Sequence, residues 1–297
     1  MDFPISLFTA CAPWLPLAEL APRAAAAGCA GLDLACKATR FDPARAPGCD
    51  NNPAVVPLAE LPAQAPGIAR LLAAHGLACP VLAGYAGVDD FAAARALALG
   101  ARALGAPLVR LWTPAPAAGR VREQVAGLRA AWSGLAEIAA GEECRFVMET
   151  HEGTLATGAS ACLRLIDGLD PARVGVILDV ANTVRDGTEA LPVAIELLGP
   201  YLAHVHVKDV WVRTDGTLWN GLTTGFAPLG EGNLRWPAII AALAAGGYRG
   251  WLALENFTGI ERGPRRIGED AAWLREQMAR ARTAQAAPAP AAAGGAR

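Results

Sequence analysis

The chain has 297 residues, 53% of them hydrophobic, and its 26 Lys and Arg against 28 Asp and Glu leave a formal net charge of −2. That is enough apolar material for one large domain, and the balanced charge excludes the basic footprint of a nucleic-acid-binding protein. No apolar run approaches the roughly 18–20 residues a membrane span needs, and seven scattered cysteines with no CxxC read as reduced, buried thiols of a cytoplasmic protein.

The N-terminus is apolar, but it carries Asp2 and no Lys or Arg before the apolar run. It therefore reads as a strand, Ile5–Ala10, rather than a signal peptide. A helix, Leu17–Gly28, follows and stops on glycine. Then come a strand over Gly31–Cys36, a long Pro-rich loop over Phe41–Pro66 that contains Asn51 and Asn52, and a helix over Gly67–Gly76. The pattern repeats as strand Ala78–Ala83 with helix Asp90–Gly105, and strand Pro107–Thr113 with helix Arg120–Ala140.

In the second half, strand Cys144–Thr150 precedes helix Gly158–Gly168, and strand Val174–Val180 precedes helix Thr188–Leu198. The seventh strand, Leu202–Lys208, leads into a polar and aromatic loop over Val210–Leu234. Helix Trp236–Gly246, strand Gly250–Asn256 and helix Gly268–Arg282 complete the series. Residues 285–297 are Ala/Pro/Gly low complexity and read as a disordered tail.

Eight strands, most followed by a helix, imply an α/β fold with a parallel sheet and helices outside. The expected architecture is a single-domain (β/α)8 TIM barrel over residues 1–284. A doubly wound open sheet is the competitor. No GxGxxG or GxxxxGK[ST] follows an early strand, so its nucleotide-binding form has no support.

Chemistry in such barrels sits at the C-terminal ends of the strands. The last four strands end on Glu149, Asp179, His206 (with His204 two residues deeper) and Glu255. Taken singly, each carboxylate reads as a helix cap or a loop charge, and a strand histidine as a core residue. Together they do not. An acid placed behind VGVIL or WLAL buries a charge at a cost of several kcal/mol unless it is paired or metal-bound. Three converging carboxylates repel, and a divalent cation resolves that repulsion. The expected cofactor is one divalent metal ion, Mn²⁺ first, with Mg²⁺, Co²⁺ or Zn²⁺ as alternatives that ligand type does not separate.

The segments METHEG, ILDVAN, HVHVKD, PLGEG and LALENF together resemble the sugar phosphate isomerase/epimerase family of xylose-isomerase-like barrels, whose relatives include ketose 3-epimerases and inosose dehydratase. The resemblance is specific over Glu149–Glu255 and topological before it. It implies Glu149, Asp179, His206 and Glu255 as metal ligands. It also implies Glu149 and Glu255 as paired acid/base groups that isomerise or epimerise a sugar or keto-polyol through an enediolate. Where the epimerases have Asp-x-x-His, this chain has Asp179-Val-Ala-Asn182. Asn182 can hydrogen-bond a hydroxyl but cannot serve as an ionisable base. HVHVKDV is closer to the dehydratase-like members, so a metal-dependent dehydratase of an inosose-like or keto-acid substrate is the second reading. A non-catalytic sugar-binding barrel is the remote one. An endonuclease IV-type site needs about five histidines, and the chain has four.

Further substrate-binding candidates are His151, Asn182, Lys208, Arg213, Trp112 and Glu231. Trp14, Arg110 and Trp112 are candidate pocket walls; Trp211, Arg213 and Trp219 lie in the loop after the seventh strand, a candidate lid in which Arg213 could hold a carboxylate or phosphate. His75, near the end of a helix, reads as structural. The expected partner is a small-molecule sugar or keto-polyol, with no nucleic acid and no membrane, and a homo-oligomer is left open.

Overall fold

A computed structural model describes residues 2–186, 189–216 and 221–286. Its strands are β1 (Ile5–Phe8), β2 (Gly31–Lys37), β3 (Val56–Pro57), β4 (Val81–Gly87), β5 (Leu108–Trp112), β6 (Arg145–Glu149), β7 (Val174–Asp179), β8 (Leu202–Val207), β9 (Asp209–Arg213), β10 (Thr223–Ala227) and β11 (Leu252–Leu254). Eight of them pair in parallel in the order β1-β2-β4-β5-β6-β7-β8-β11, and β11 returns to β1. The sheet is therefore a closed barrel, as expected.

The helices are α1 (Leu17–Ala26), α2 (Leu61–Ala74), α3 (Phe91–Leu104), α4 (Val121–Glu142), α5 (Ala159–Ile166), α6 (Val180–Asp186), α7 (Leu191–Leu198), α8 (Trp236–Ala245) and α9 (Arg266–Ala286). Among the described residues, no helix is long and apolar enough to cross a membrane.

The period of two in each strand divides the core. Phe8, Ala35, Val81, Ala83, Leu108, Val147 and Ile177 fill the barrel interior. Their outward neighbours, among them Leu34, Leu82, Val109, Phe146 and Leu178, pack with helix residues such as Leu20, Leu97, Trp132 and Ile240. Strands buried on both faces read as continuous apolar runs, which is why they were legible in the sequence. The inward parity of the interior residues continues, at the C-terminal ends, into Lys37, Arg110, Glu149 and Asp179, and His206 and Glu255 converge with them. All seven cysteines are free, and only Cys49 is partly exposed.

Several boundaries differ from the sequence expectations. α2 starts at Leu61, inside the expected loop, and Val56–Pro57 adds a short strand beside β2. Pro at the start of α2 and a second Pro inside it hid that beginning. The rest of the loop is ordered by its asparagines. Asn51 Nδ2 donates to Asp42 O and Arg45 O, and Asn52 Nδ2 donates to Thr9 O at the end of β1. The third expected strand, Ala78–Ala83, is observed at Val81–Gly87. The expected helix Thr188–Leu198 is α7 from Leu191, and α6 follows β7 with no intervening loop; Thr188 lies outside the described residues.

The segment after β8 is not a plain loop. β9 and β10 form an antiparallel hairpin in which Thr223 faces Arg213 and Ala227 faces Asp209. The alternating Val-Trp-Val of DVWVR supports it. Of the expected tail, Gln285 and Ala286 continue α9, and residues 287–297 lie outside the described residues.

Candidate metal centre

β6, β7, β8 and β11 bring Glu149, Asp179, His206 and Glu255 together at the C-terminal mouth. All four are buried, and one ligand atom from each lies within 4.8 Å of the others. His206 Nδ1 is 3.2 Å from Glu149 Oε1, 3.1 Å from Glu255 Oε2 and 3.7 Å from Asp179 Oδ2. The His206 ring stacks on Phe8 of β1 at 5.9 Å between centroids.

Local hydrogen bonding fixes these groups. Thr150 Oγ1 accepts from Asp179 N at 2.8 Å, which ties the ends of β6 and β7. Asp179 Oδ1 accepts from Asn182 N at 2.8 Å, so the carboxylate caps the first turn of α6. That turn folds Asn182 back into the site. Its Nδ2 donates to Thr150 O at 3.2 Å and approaches Glu149 Oε1 at 3.3 Å.

Two cations complete the site. Lys208 Nζ is 2.7 Å from Asp179 Oδ2 and 2.5 Å from Glu255 Oε2. The Phe226 and Phe257 rings lie 5.1 and 5.5 Å from it. Phe226 belongs to the hairpin, so the hairpin roofs this side of the centre. On the other side, Arg110 Nη1 donates to Glu149 Oε2 at 2.6 Å. Lys208, expected as a substrate contact or a surface residue, is buried at the centre and ion-paired there.

Burial alone would push every one of these groups toward its neutral form. For Glu149 it is outweighed by His206, Arg110 and Lys208, which hold the carboxyl well below its usual range. Glu255 is likewise brought to about 2, by His206 and Lys208 against its burial. Asp179 goes the other way, because burial outweighs the attraction of Lys208. His206 is raised well above the usual imidazole range, since Glu255 and Glu149 overcome its burial.

The donors fit a divalent cation. They are three carboxylates and one imidazole, hard-ligand chemistry of the kind such ions take. Asp179 Oδ2 and Glu255 Oε2 are buried, and both are within ion-pair distance of Lys208. Both oxygens also face His206 Nδ1.

His204 lies one layer deeper, as expected, with Nε2 2.7 Å from Asp33 Oδ2 of β2. Asp33, His204 and His206 form a second buried group of potential ligands. Trp112 and His151 meet edge to face at 4.7 Å, and Trp112 stacks on Tyr85 at 6.0 Å, so both expected residues line the mouth.

Other expected residues lie outside the cluster. Arg213 is exposed and stacks on Trp211, because its place in the hairpin turns it outward. Glu231 is exposed in a turn closed by Glu231 N to Pro228 O. The role of PLGEG is instead to present Gly230 N and Gly232 N to the Asp209 carboxylate, at 3.1 and 3.2 Å. A Cβ on Gly232 would meet Asp209 Oδ1 at 2.2 Å, which explains that glycine. Trp14 packs with the outer core and donates to Ile260 O. Trp219 lies outside the described residues. Lys37 and Asp33 were missed, and Arg110 was read only as a wall. The signal was present: a charged residue at inward parity inside the apolar strands GLDLACK and LVRLW.

The sequence profile of the xylose isomerase-like TIM barrel family matches residues 22–277. The chain belongs to this family. The match covers most of this xylose isomerase-like barrel, including all four candidate ligands. Among curated relatives, inosose dehydratase of Geobacillus thermodenitrificans is 27% identical over 129 residues, 41% of this chain and 43% of that protein. The match thus spans less than half the length of this relative.

Solved structures share the fold at lower identity. A 3-keto-D-glucoside 4-epimerase from E. coli superposes with a TM-score of 0.70 at 15% identity, over 93% of this chain and 100% of the other. A zinc-bound IOLI protein reaches 0.73 at 13% identity, over 94% and 98%. A magnesium complex of a xylose isomerase-like barrel from Mycobacterium smegmatis reaches 0.66 at 17% identity, over 94% and 98%.

Proposed function

We propose that this chain is a divalent-metal-dependent isomerase or epimerase of a small sugar or keto-polyol, with Glu149 and Glu255 as its paired acid and base. The observation that carries this reading is the approach of both glutamates to one imidazole nitrogen, 3.2 and 3.1 Å from His206 Nδ1, from strands separated by β7 and β8. Glu149, Asp179, His206 and Glu255 would hold the cation, with Mn²⁺ as the first choice and Mg²⁺, Co²⁺ or Zn²⁺ compatible with the same donors. When bound, such an ion polarises a substrate carbonyl and stabilises the charge left when the neighbouring proton departs.

The chain's own groups do the rest. One glutamate takes the proton on the carbon next to the carbonyl, and the other returns a proton. Arg110 holds the plane of Glu149 through Oε2, and Lys208 keeps Glu255 ionised and ready to accept. Asn182 and His151 offer hydrogen bonds to substrate hydroxyls. Proton return to the opposite face gives an epimer, and return to the adjacent carbon gives an aldose–ketose isomer.

A dehydratase is the second reading, and a specific observation favours it. Lys208 Nζ lies 2.5 Å from Glu255 Oε2, so an ammonium proton sits beside the base, where it can meet a departing hydroxyl. Similarity to inosose dehydratases over 129 residues points the same way. NMR of the Mn²⁺-loaded chain in D₂O with ketoses, inososes and keto acids tests both. Exchange of an α-proton without loss of water supports the isomerase or epimerase, and loss of water supports the dehydratase. No exchange with any member of the panel counts against both.

A further inference from the structure

The centre is lopsided. Its acids come from β6, β7 and β11, while the wall formed by β2, β4 and β5 carries two cations and two aromatic rings. Arg110 of β5 is 2% exposed, and its guanidinium carbon lies 4.5 Å from the Tyr85 ring centroid and 5.5 Å from that of Trp112. Lys37, at the end of β2, points its Nζ at the same Tyr85 ring, 4.4 Å from the centroid. Lys37 is also buried, and its described partners are Cys49 O at 3.0 Å and the largely exposed Asp50 at 3.1 Å.

Arg110 donates Nη1 to Glu149 and also interacts with the Tyr85 hydroxyl. Its Nε and Nη2 are buried and make no further hydrogen bond of good geometry among the described residues. These two nitrogens form one edge of the guanidinium, the side-on fork that matches the two oxygens of a carboxylate. Leaving such donors buried and unpaired is costly. Arg110 is buried to about the same degree as Glu149, Asp179 and Glu255, so its burial is that of the site as a whole. Tyr85 and Trp112, both partly exposed, stand nearer the barrel mouth.

We infer that the substrate carries a carboxylate, received by the free Nε/Nη2 edge of Arg110 with Lys37 as second cation, so that the substrate class is a polyhydroxy keto acid rather than a neutral sugar. This rests on the reading of the centre as a metal site for keto-polyol chemistry and narrows it. Arg110 thereby takes the anion-holding role that the sequence had suggested for Arg213.

The test compares 2-keto-D-gluconate with D-fructose, which differ by a carboxylate in place of a hydroxymethyl group beside the same ketone. Binding of each is measured by calorimetry, with and without Mn²⁺. The wild type should bind the keto acid roughly tenfold or more tightly than fructose, the size of one charge-assisted fork. Arg110→Lys keeps a cation for Glu149 but loses the fork, and Lys37→Met removes the second charge. Each should shrink the preference, read as the ratio of the two affinities, with thermal melting as the check on folding. Equal binding of the two ligands by the wild type, or an undiminished preference in Arg110→Lys, overturns the inference. Tighter binding of D-fructose 1-phosphate than of the keto acid also overturns it, by assigning the edge to phosphate. Failure to take up Mn²⁺ counts against the metal-centre reading alone, because the acid preference is read without metal too.

Discussion

Glu149 divides its two oxygens between two tasks: Oε2 takes the Arg110 guanidinium at 2.6 Å, and Oε1 faces His206 Nδ1 at 3.2 Å. One carboxylate thus joins the cationic wall to the ligand cluster, and its plane is set before any substrate arrives. Pre-set donors of this kind cost nothing to reorganise during a reaction.

Removing Arg110 should expose how much this pair supports the fold. Both side chains are buried, so Arg110→Met leaves an uncompensated carboxylate in the barrel. The metal-free variant should lose about 3–5 kcal/mol of stability, the usual cost of breaking a buried pair from one side. Urea unfolding measures it. A loss below about 1 kcal/mol would mean that His206 and Lys208 alone compensate Glu149.

The paired-carboxylate mechanism predicts that Glu149→Gln and Glu255→Gln each lower turnover by about 10²–10⁴-fold, the usual worth of a general acid or base. The assay is run at saturating Mn²⁺, with bound metal measured alongside. Near-normal turnover in either variant would remove that residue from proton transfer.

Metal uptake should be linked to protons. In the metal-free chain Glu255 and Glu149 hold His206 in its charged form well above the ordinary imidazole range. The stability this gives is fully present below the unfolded pKa and is lost as pH rises through the raised folded one. A cation at Nδ1 requires the neutral ring, so binding should release a proton and weaken as pH falls. Calorimetry in buffers of different ionisation enthalpy reads the proton directly. No dependence on buffer would show that His206 is not a ligand.

A second carboxylate, away from the four ligands, makes a separate pH prediction. Burial raises Asp270 to about 6, against the pull of Arg266 and Asn256. The unfolded chain therefore gives up this proton first, and stability from this group falls as pH rises from about 4 to 6, then levels. Asp270→Asn should remove that slope from the urea-unfolding profile. An unchanged slope would place the cause elsewhere.

Much of the barrel was legible because its strands are buried on both faces and stand out as apolar runs such as VGVIL and WLAL. The four candidate ligands were legible for a related reason: a charge directly behind such a run has nowhere to hide. Asn182 was named from its place three residues after Asp179, but that its side chain turns inward shows only in the cap on Asp179 at the start of α6. Arg110 and Lys37 were under-read because parity within a short strand had to be followed through both halves of the barrel. Arg213 lies exposed on a hairpin strand beside Trp211, a placement that a loop reading of the sequence does not show. Asp209 and PLGEG were read apart, although Gly232 touches Asp209 and the two form one hydrogen-bonded turn.

The central claim is that Glu149, Asp179, His206 and Glu255 form one divalent-cation site. Titration of the metal-free chain with Mn²⁺, followed by calorimetry and by the paramagnetic resonance of the free ion, tests it most directly. The account predicts one ion per chain, with affinity lowered about 100-fold or more in His206→Ala and Asp179→Asn, at least the loss seen when only the groups supporting a ligand are changed. Absence of stoichiometric uptake by the wild type, or unchanged affinity in both variants, would contradict it.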